Sequence, residues 1–312
     1  MNSKLRIHGV VPPVPTPLTH SGRVDVAAIH RIMEHLVLGA CDAAFVLGST
    51  GELASLCQES REIVIRTAVA ALDGRIPLLV GIAATYPAET LSLARLASDL
   101  GADALVMAAP YYYDLAPDEL KRYFTSILPQ LDRPTLLYNM PWLTGHVLDM
   151  DCLTAALEHP NVIGFKDSSG DVNYLRQMIK VAATRAQTTV LVGNEFFYLE
   201  GLRLGAHGVV GGGGNIYPAL FRALQDAFDR NDLSQAERLQ NQIIQIGNQI
   251  FGITGRPSSV FCAVKAGLSA LGLCEPHMAP PLTSCTPAEV LAIRNILSDS
   301  ATVLPKSAFA VA

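Results

Sequence analysis

The stretch NVIGFKDSSG, residues 161–170, begins as a short apolar run and ends as a polar loop rich in hydroxyls. The run has the length and composition of a buried β-strand, and Lys166 is its last residue. Alternation along the strand places Lys166, Gly164 and Val162 on one face, with Gly164 leaving room beneath the lysine. An apolar strand has no structural use for a terminal ammonium group. Either the lysine stem packs while its head reaches water, or the amine has a chemical role.

The same unit of short apolar run, loop and amphipathic helical stretch recurs along most of the chain. The predicted strands cover residues 10–15, 43–47, 78–82, 104–108, 135–138, 162–166, 190–192 and 208–211. The helical stretches between them include residues 26–38, 59–72, 88–100, 117–128, 172–183, 195–204 and 217–229. Eight strands, each followed by a helix, predict a (β/α)8 TIM barrel of the α/β class. The alternative, an open doubly wound sheet, usually has a glycine fingerprint after its first strand. Prolines fill that place here.

The pattern changes after about residue 229, where the strands stop. Three further helical stretches cover residues 233–251, 258–271 and 287–297, with proline and glycine breaks between them. We therefore divide the chain into a barrel that carries the active site, residues 1–229, and a C-terminal three-helix extension packed on it, residues 230–312. The tail from Ser298 has little pattern and is expected to be disordered.

Composition limits the classes of protein to which the chain can belong. Half of its 312 residues are hydrophobic and 16% are charged, a balance that supports a large core and favours an oligomer. The formal charge of -5 is spread along the chain without a basic run, which argues against nucleic acid as a partner. No segment is long enough to span a membrane, and residues 1–8 lack the apolar stretch of a signal peptide.

The cysteines and histidines favour a cytoplasmic protein without a metal site. The six cysteines lie far apart and lack the paired spacing of metal ligands, so the simplest interpretation is reduced thiols in the cytoplasm. The eight histidines are equally scattered and give no support to a metal centre.

Lys166 differs from the other lysines in its surroundings. Four of these fall on terminal or amphipathic stretches, where a solvated charge is the ordinary case: Lys4, Lys121, Lys180 and Lys306. Lys265 follows an apolar run within a helical stretch but has no hydroxyl-rich loop beside it. Burial disfavours the charged form of an amine and lowers its pKa, which makes the amine a nucleophile toward carbonyls. We therefore interpret Lys166 as a candidate nucleophile.

Two other loops supply chemistry at the ends of predicted strands, where TIM barrels carry their active sites. In the turn GSTGE, residues 48–52, Gly48 and Gly51 bracket two hydroxyls and allow backbone amides to converge on a carboxylate. A tight turn with capping hydroxyls is the structural alternative. Tyr138 ends the strand next to that of Lys166, and a phenol beside an amine can relay a proton.

A carboxylate cradle, a nucleophilic amine and a phenol together suit a 2-keto acid handled through a Schiff base. The protonated imine is an electron sink, which permits cleavage or formation of the bond between carbons 3 and 4, or loss of a β-hydroxyl. Three phenols at residues 111–113 follow the fourth strand. They are too many for one core, so we expect at least one to face a cavity or a partner subunit.

At this point the chain resembles the dihydrodipicolinate synthase / N-acetylneuraminate lyase family of class I, pyruvate-type aldolases. The resemblance runs from Gly9 to about Leu297. It includes Pro15-Thr16-Pro17, the turn of residues 48–52, Ala109-Pro110-Tyr111-Tyr112, Tyr138-Asn139-Met140-Pro141 and Gly164-Phe165-Lys166-Asp167-Ser168. It implies a (β/α)8 barrel with a helical C-terminal extension, usually a homotetramer built from dimers, which needs no metal or organic cofactor.

The resemblance also implies a role for individual residues. Lys166 matches the imine-forming lysine and Tyr138 the proton-shuttling tyrosine. Ser49 and Thr50 match the pair that binds the keto-acid carboxylate. Tyr112 matches the tyrosine that reaches into the neighbouring subunit's site and completes a relay with Ser49 and Tyr138.

Departures from the family pattern narrow the substrate. Dihydrodipicolinate synthases carry an arginine two residues after the proline of the Tyr-Asn-x-Pro motif, where it binds the aldehyde's carboxylate. Leu143 stands there and cannot make that pairing. Sialate lyases use two acids after the seventh strand and a serine after the eighth. Here Glu195 is the one acid and Gly212 replaces the serine, which disfavours a full sialic acid. We assign Glu195 to a substrate hydroxyl, with an exposed acid at a helix start as the alternative.

We therefore predict a carbon–carbon lyase that cleaves or forms a 2-keto-3-deoxy acid, to or from pyruvate and an aldehyde. Trp142 and Phe196 are candidates to line a less polar distal pocket. Three alternatives remain: a dehydratase of a 2-keto-3-deoxy sugar acid, a dihydrodipicolinate synthase-like condensation, and a non-catalytic keto-acid-binding barrel. The intact lysine, tyrosine and hydroxyl pair argue against the last.

Overall fold

A closed parallel sheet forms the centre of the protein. The computed structural model describes residues 5–301. Its strands are β1 Gly9–Val10, β2 Ala44–Val46, β3 Leu78–Gly81, β4 Ala104–Ala108, β5 Thr135–Asn139, β6 Val162–Asp167, β7 Thr189–Val192 and β8 Gly208–Val209. They pair in parallel in the order β1-β8-β7-β6-β5-β4-β3-β2. Since helices alternate with these strands, the predicted (β/α)8 barrel is confirmed.

The barrel closes between β1 and β2 through a segment rich in proline. Pro13 forms a parallel bridge with Phe45. The Phe45 N–H donates to the Pro12 carbonyl at 3.0 Å, and the Val14 N–H donates to the Phe45 carbonyl at 2.7 Å. The first strand, predicted over residues 10–15, ends at Val10, because the prolines that follow have no N–H to donate to a ladder. The closing contact is therefore a bridge and not a continuous ladder.

Helices connect the strands and cover the outside of the barrel. They are α1 Val26–Leu38, α2 Gln58–Leu72, α3 Pro87–Leu100, α4 Pro117–Ile127, α5 Pro141–Thr144, α6 Met150–Leu157, α7 Val172–Ala182, α8 Tyr198–Leu204 and α9 Pro218–Asp229. Carboxylates cap several of them: Asp25 accepts from the N–H of Ala28 in α1, and Asp171 from the N–H of Asn173 in α7. Such caps satisfy N–H groups that have no partner within the helix.

Three helices follow the barrel, as predicted: α10 Leu233–Phe251, α11 Ser259–Ala270 and α12 Pro287–Ala301. Helix α10 packs against α9, and α12 packs against both α10 and α11. The expectation of a disordered tail from Ser298 is wrong for residues 298–301, because α12 continues to Ala301. Residues 1–4 and 302–312, which include Lys4 and Lys306, lie outside the described residues. Across residues 5–301, none of the helices has the length and apolar character to cross a membrane.

Alternation along the strands produces two apolar layers. Side chains such as Phe45, Val106 and Leu191 fill the barrel interior. Their neighbours in sequence, such as Val46 and Val190, face outward and pack with the covering helices. Fully burying an aliphatic or phenylalanine side chain stabilises the fold by roughly 1.5–3 kcal/mol, so both layers favour the closed arrangement that positions the strand ends.

Strand β6 departs from strict alternation. Two successive residues of β5 pair with Val162 and Gly164, so Ile163 is an extra residue in the ladder. As a result Val162 packs in the outer layer and Ile163 packs against the interior one. The predicted common face of Lys166, Gly164 and Val162 is therefore wrong for Val162, because the bulge reverses the alternation below Gly164.

Gly164 allows β6 and β7 to approach closely. A Cβ atom at this position would lie 2.3 Å from the carbonyl oxygen of Thr189. That oxygen belongs to the backbone of β7 and cannot move without disturbing the sheet. The contact explains the glycine better than the predicted need for room beneath Lys166.

We expect Gly164→Ala to lower the melting temperature by about 2–8 °C, because overpacking of this kind costs about 1–3 kcal/mol. Gly252→Ala is the matched control. Gly252 ends α10 at a φ of -86°, and its nearest Cβ contact would be 3.4 Å. Differential scanning calorimetry of both variants tests the expectation, and equal melting temperatures would contradict it.

Candidate active site

Strand β6 brings Lys166 to the carboxyl end of the barrel, where its side chain is almost fully buried, with 5% exposure. Its Nζ atom lies 3.8 Å from the centre of the Tyr138 ring and 5.1 Å from that of Phe45. Burial lowers the pKa of the Lys166 amine to about 7, and the Asp167 carboxylate acts in the opposite direction. A substantial fraction of the amine is therefore uncharged, and hence nucleophilic, at neutral pH.

Tyr138 pairs with Lys166 across the β5–β6 ladder. Burial raises the pKa of the Tyr138 phenol to about 12, while hydrogen bonds with the hydroxyls of Ser168 and Ser49 act against that shift. The Ser168 hydroxyl donates to the phenol oxygen at 3.3 Å. The phenol therefore stays protonated at neutral pH and is connected to two hydroxyls through which a proton can pass.

Asp167 cross-links the strand ends beside Lys166. Its carboxylate accepts from the Asn139 amide at 2.8 Å and from the N–H and hydroxyl of Ser169 at 3.1 and 2.9 Å. The Asn139 side-chain oxygen in turn accepts from the N–H of Leu148 at 3.0 Å. This network fixes the loop after β6 relative to β5, and thereby orients the amine and the phenol toward each other.

The turn of residues 48–52 is held by backbone and side-chain hydrogen bonds. The Glu52 N–H donates to the Ser49 carbonyl at 3.1 Å, and the Thr16 hydroxyl donates to the Gly51 carbonyl at 2.7 Å. Positive φ values occur at Leu47 and Glu52, and at neither glycine of the turn. A Cβ atom on Gly51 would lie 2.7 Å from the Leu47 nitrogen. The glycines therefore allow close packing within the turn.

These elements enclose a cavity of about 370 Å³, which we call the site cavity. It brings together most of the predicted site residues, namely Lys166, Tyr138, Ser49, Thr50, Glu195 and Gly212. Its aromatic lining includes the predicted Trp142 and Phe196, together with Phe251 and Phe261 of the C-terminal helices.

A second space of about 250 Å³, which we call the apolar cavity, adjoins the first and shares Ser49 and Tyr138 with it. Its other lining residues include Gly48, Leu53, Val106, Leu143 and Leu282. The Tyr138 phenol and the Ser49 hydroxyl therefore lie between the site cavity, which contains the Lys166 amine, and the apolar cavity, which is lined mainly by hydrocarbon side chains.

Glu195 is a buried wall residue of the site cavity and not an exposed acid at a helix start. Its Oε2 accepts from the Gly213 N–H at 2.8 Å, while its Oε1 has no hydrogen-bond partner within residues 5–301. Burial raises the pKa of the Glu195 carboxyl to about 7, and backbone hydrogen bonds act against this. Oε1 is itself buried, so the binding role predicted for Glu195 stays a prediction.

Gly212 lies against α11, whereas Leu143 lies at the apolar cavity. A Cβ atom on Gly212 would lie 2.9 Å from a methyl group of Val264 in α11, so a serine there would require the Val264 side chain to shift. Leu143, with 42% exposure, lines the apolar cavity instead of the site cavity.

Tyr112 lies apart from the other predicted site residues. Its side chain is 87% exposed and lines neither cavity. Its φ of 105° is unusual for a residue with a side chain and marks a strained loop. Within one chain the structure does not bring Tyr112 to Ser49 and Tyr138, so its predicted role requires a second subunit.

Sequence reasoning did not assign site roles to Ser168 or to the aromatic residues of the extension. Ser168 belongs to the hydroxyl-rich loop after Lys166, and that composition was the available indication. Phe261 stacks on Trp142 with ring centres 5.8 Å apart and an interplanar angle of 13°. No local pattern reveals that α11 reaches the barrel mouth, because that contact depends on tertiary packing.

A TIM barrel with a buried amine, a phenol and a hydroxyl pair at the carboxyl ends of its strands has the features of a class I, pyruvate-type lyase. The chain belongs to the dihydrodipicolinate synthetase family, whose family model matches residues 6–300. The predicted family and enzyme class are thereby confirmed.

Relatives within the family carry different names. The chain is 30% identical over 280 residues to the probable 2-dehydro-3-deoxy-D-pentonate aldolase YjhH of Escherichia coli K12, covering 89% of this chain and 92% of that protein. The structure of YagE from E. coli K12 in complex with pyruvate superposes with a TM-score of 0.88 at 29% identity, over 94% and 98% of the two chains. Dihydrodipicolinate synthase from Bacteroides thetaiotaomicron gives a TM-score of 0.89 at 37% identity, also over 94% and 98%.

The pKa of Lys166 predicts how imine formation depends on pH. Below about pH 7 the amine is protonated and cannot attack a carbonyl, so the rate of imine formation with pyruvate should rise through an inflection near pH 7. Cyanoborohydride trapping, followed by intact-mass spectrometry from pH 5.5 to 9.5, measures this rate.

Glu195→Gln serves as the control for that profile, because the Glu195 carboxyl titrates in the same range. The inflection should persist in this variant if it belongs to the lysine. A rate that has no inflection near pH 7 and is still rising at pH 9.5 would show that the amine keeps the pKa of an exposed lysine.

Proposed function

We propose that the protein is a Schiff-base-forming lyase that splits a 2-keto-3-deoxy acid into pyruvate and an aldehyde, or joins the two. The observation that carries the proposal is the buried amine of Lys166, with its pKa near neutrality, 3.8 Å from the ring centre of Tyr138. The named 2-dehydro-3-deoxy-D-pentonate aldolase among its relatives and the pyruvate complex of YagE support this class of substrate.

In the proposed reaction the uncharged Lys166 amine attacks the carbonyl carbon of the keto acid, and loss of water gives an iminium. The hydroxyls of Ser49 and Thr50 and the amides of the turn that begins at Gly48 hold the adjacent carboxylate. Tyr138 accepts the proton of the C4 hydroxyl and passes its own phenolic proton to the Ser49 hydroxyl, as the C3–C4 bond breaks and the electron pair moves into the imine. The aldehyde leaves, the enamine is protonated at C3, and hydrolysis releases pyruvate and restores the amine.

Burial keeps the Tyr138 phenol protonated. Tyr138 can therefore accept the substrate proton only if its own phenolic proton passes to another group. We propose that Ser49 and the Tyr112 of a neighbouring subunit accept this proton in turn. The exposure of Tyr112 and its strained backbone support a contact outside its own chain. The enzyme would then work as an oligomer, a homotetramer built from dimers, located in the cytoplasm.

The distal part of the substrate is proposed to carry hydroxyls and no second carboxylate. Leu143 offers no charge to pair with a carboxylate, which disfavours a dihydrodipicolinate synthase reaction. Glu195 is a wall residue of the site cavity, which supports its proposed contact with a substrate hydroxyl. Gly212 offers no side-chain hydroxyl to a longer sugar tail, which supports a shorter substrate than a sialic acid.

Borohydride trapping with pyruvate tests the proposal directly. We expect the wild-type chain to gain the mass of one reduced pyruvate, with the modified peptide containing Lys166. The Lys166→Ala variant should give no adduct, whereas Lys180→Ala, which changes an exposed lysine of α7, should react as the wild type does. A folded wild-type protein that forms no adduct would overturn the proposed function.

The products then separate the lyase from its alternatives. Incubation with 2-keto-3-deoxy-pentonate or 2-keto-3-deoxy-gluconate should release pyruvate, which lactate dehydrogenase detects. A dehydratase would consume the same acids without releasing pyruvate. Condensation of pyruvate with aspartate semialdehyde at a comparable rate would favour the synthase reaction instead.

The proposed role of Tyr112 predicts a loss of about 10²-fold in turnover for Tyr112→Phe, the typical contribution of one proton-transfer group. Tyr113→Phe, which removes the neighbouring exposed phenol, should leave turnover within about twofold. Gel filtration of both variants shows whether the oligomer is retained.

Mixed oligomers make the test specific for action between subunits. Subunits with Lys166→Ala retain Tyr112, and subunits with Tyr112→Phe retain Lys166, so exchange between the two should restore part of the activity. No recovery after verified subunit exchange would show that Tyr112 does not act in a neighbour's site.

A further inference from the structure

A second buried lysine lies outside the chemistry proposed above. Lys265 of α11 has 0% exposure, and its Nζ forms an ion pair with Oε1 of Glu52. The same Nζ donates to the His277 carbonyl at 2.7 Å, while Oε2 of Glu52 accepts from the Ala279 N–H at 2.7 Å. Glu52 therefore has two contacts to the C-terminal extension, one with α11 and one with the segment that follows it, although it belongs to the turn after β2.

Glu52 also controls the shape of that turn. Its N–H closes the turn onto the Ser49 carbonyl at 3.1 Å, and its backbone is left-handed, with φ 60° and ψ 27°. A residue with a Cβ atom adopts this conformation at a cost of order 1 kcal/mol, and persists in it where surrounding contacts hold it. The Lys265 and Ala279 contacts are the ones that hold the Glu52 side chain.

Helix α11 is at the same time a wall of the site cavity. Val260 and Phe261 line that cavity, and Val264 stands against Gly212. Lys265 follows these residues directly, so its ion pair joins the wall supplied by the extension to the turn that carries Ser49 and Thr50. The site cavity is therefore lined by residues from both sides of the predicted boundary at residue 229.

We propose that the Glu52–Lys265 pair positions the turn that carries Ser49 and Thr50 against α11, and thereby sets the affinity for the keto-acid carboxylate. This proposal rests on the proposed function, since it assigns that turn to carboxylate binding. Glu52 and Lys265 are positioning residues, and neither is assigned a contact with substrate.

The energetics of buried ion pairs favour a positioning role over a stabilising one. Removing two charges from water costs nearly as much as their mutual attraction returns, so a neutral pair of similar volume is often as stable. Loss of one partner is costly, because the remaining charge stays buried and unpaired. The charged pair fixes one geometry of the Glu52 carboxylate, which packing between neutral side chains does not specify.

Three variants separate position from stability: Glu52→Gln, Lys265→Met, and the double variant that carries both. The measurements are the melting temperature and the pyruvate concentration that gives half-maximal borohydride trapping at Lys166. Each single variant should melt at lower temperature, and the neutral double variant should melt close to the wild type. All three should require at least tenfold more pyruvate for half-maximal trapping, and should still reach full trapping at saturation.

The matched control is Arg222→Met, which breaks the partly buried ion pair with Asp42 at the opposite end of β2. It should lower the melting temperature without changing the half-saturating pyruvate concentration. An unchanged half-saturation in all three test variants, or a return to the wild-type value in the double variant, would overturn the positioning proposal. Absence of any adduct in the wild type would instead overturn the proposed function, so the two failures are distinguishable.

Discussion

The structure depends on placing one amine in a site from which water is largely excluded. Desolvation disfavours the ammonium form of Lys166, and the adjacent Asp167 carboxylate limits the shift, so the pKa falls to about 7 and no further. The same carboxylate is occupied by hydrogen bonds from Asn139 and Ser169. Asp167 therefore limits the lowering of the Lys166 pKa without forming a direct ion pair, which would keep the lysine protonated.

The barrel makes this balance possible because it delivers groups from distant parts of the chain to one end of a closed sheet. Lys166 and Tyr138 are adjacent in the β5–β6 register, and the turn after β2 reaches them across the mouth. The β6 bulge at Ile163 and the close contact at Gly164 precede Lys166 toward the amino end of β6, so the strand that carries the amine departs locally from regular geometry. Such departures are common near active sites, where a strand must re-aim a side chain.

The sequence predicts the fold and several of the residues that line the site cavity, because both depend on local patterns. Strand ends could be located from apolar runs, and Lys166, Tyr138 and Ser49 all follow from those ends. The bulge in β6 and the short β1 could not be read in this way, since they depend on pairing with neighbouring strands. Lys265 was set aside for lacking a hydroxyl-rich loop, yet it pairs with Glu52 from 213 residues away in sequence. An ion pair between residues so far apart in sequence produces no periodic pattern from which it could be predicted.

A single barrel does not contain every part that the proposed chemistry uses. The strands supply the amine, the phenol and the hydroxyls, while α10 and α11 add aromatic wall residues, and Tyr112 projects into solvent from its own chain. A site built in this way couples its geometry to the packing of the extension and, under the role proposed for Tyr112, to association of subunits. Substrate selectivity can then change through residues such as Leu143, Glu195 and Gly212 at the cavity walls, while the amine and its immediate neighbours stay fixed.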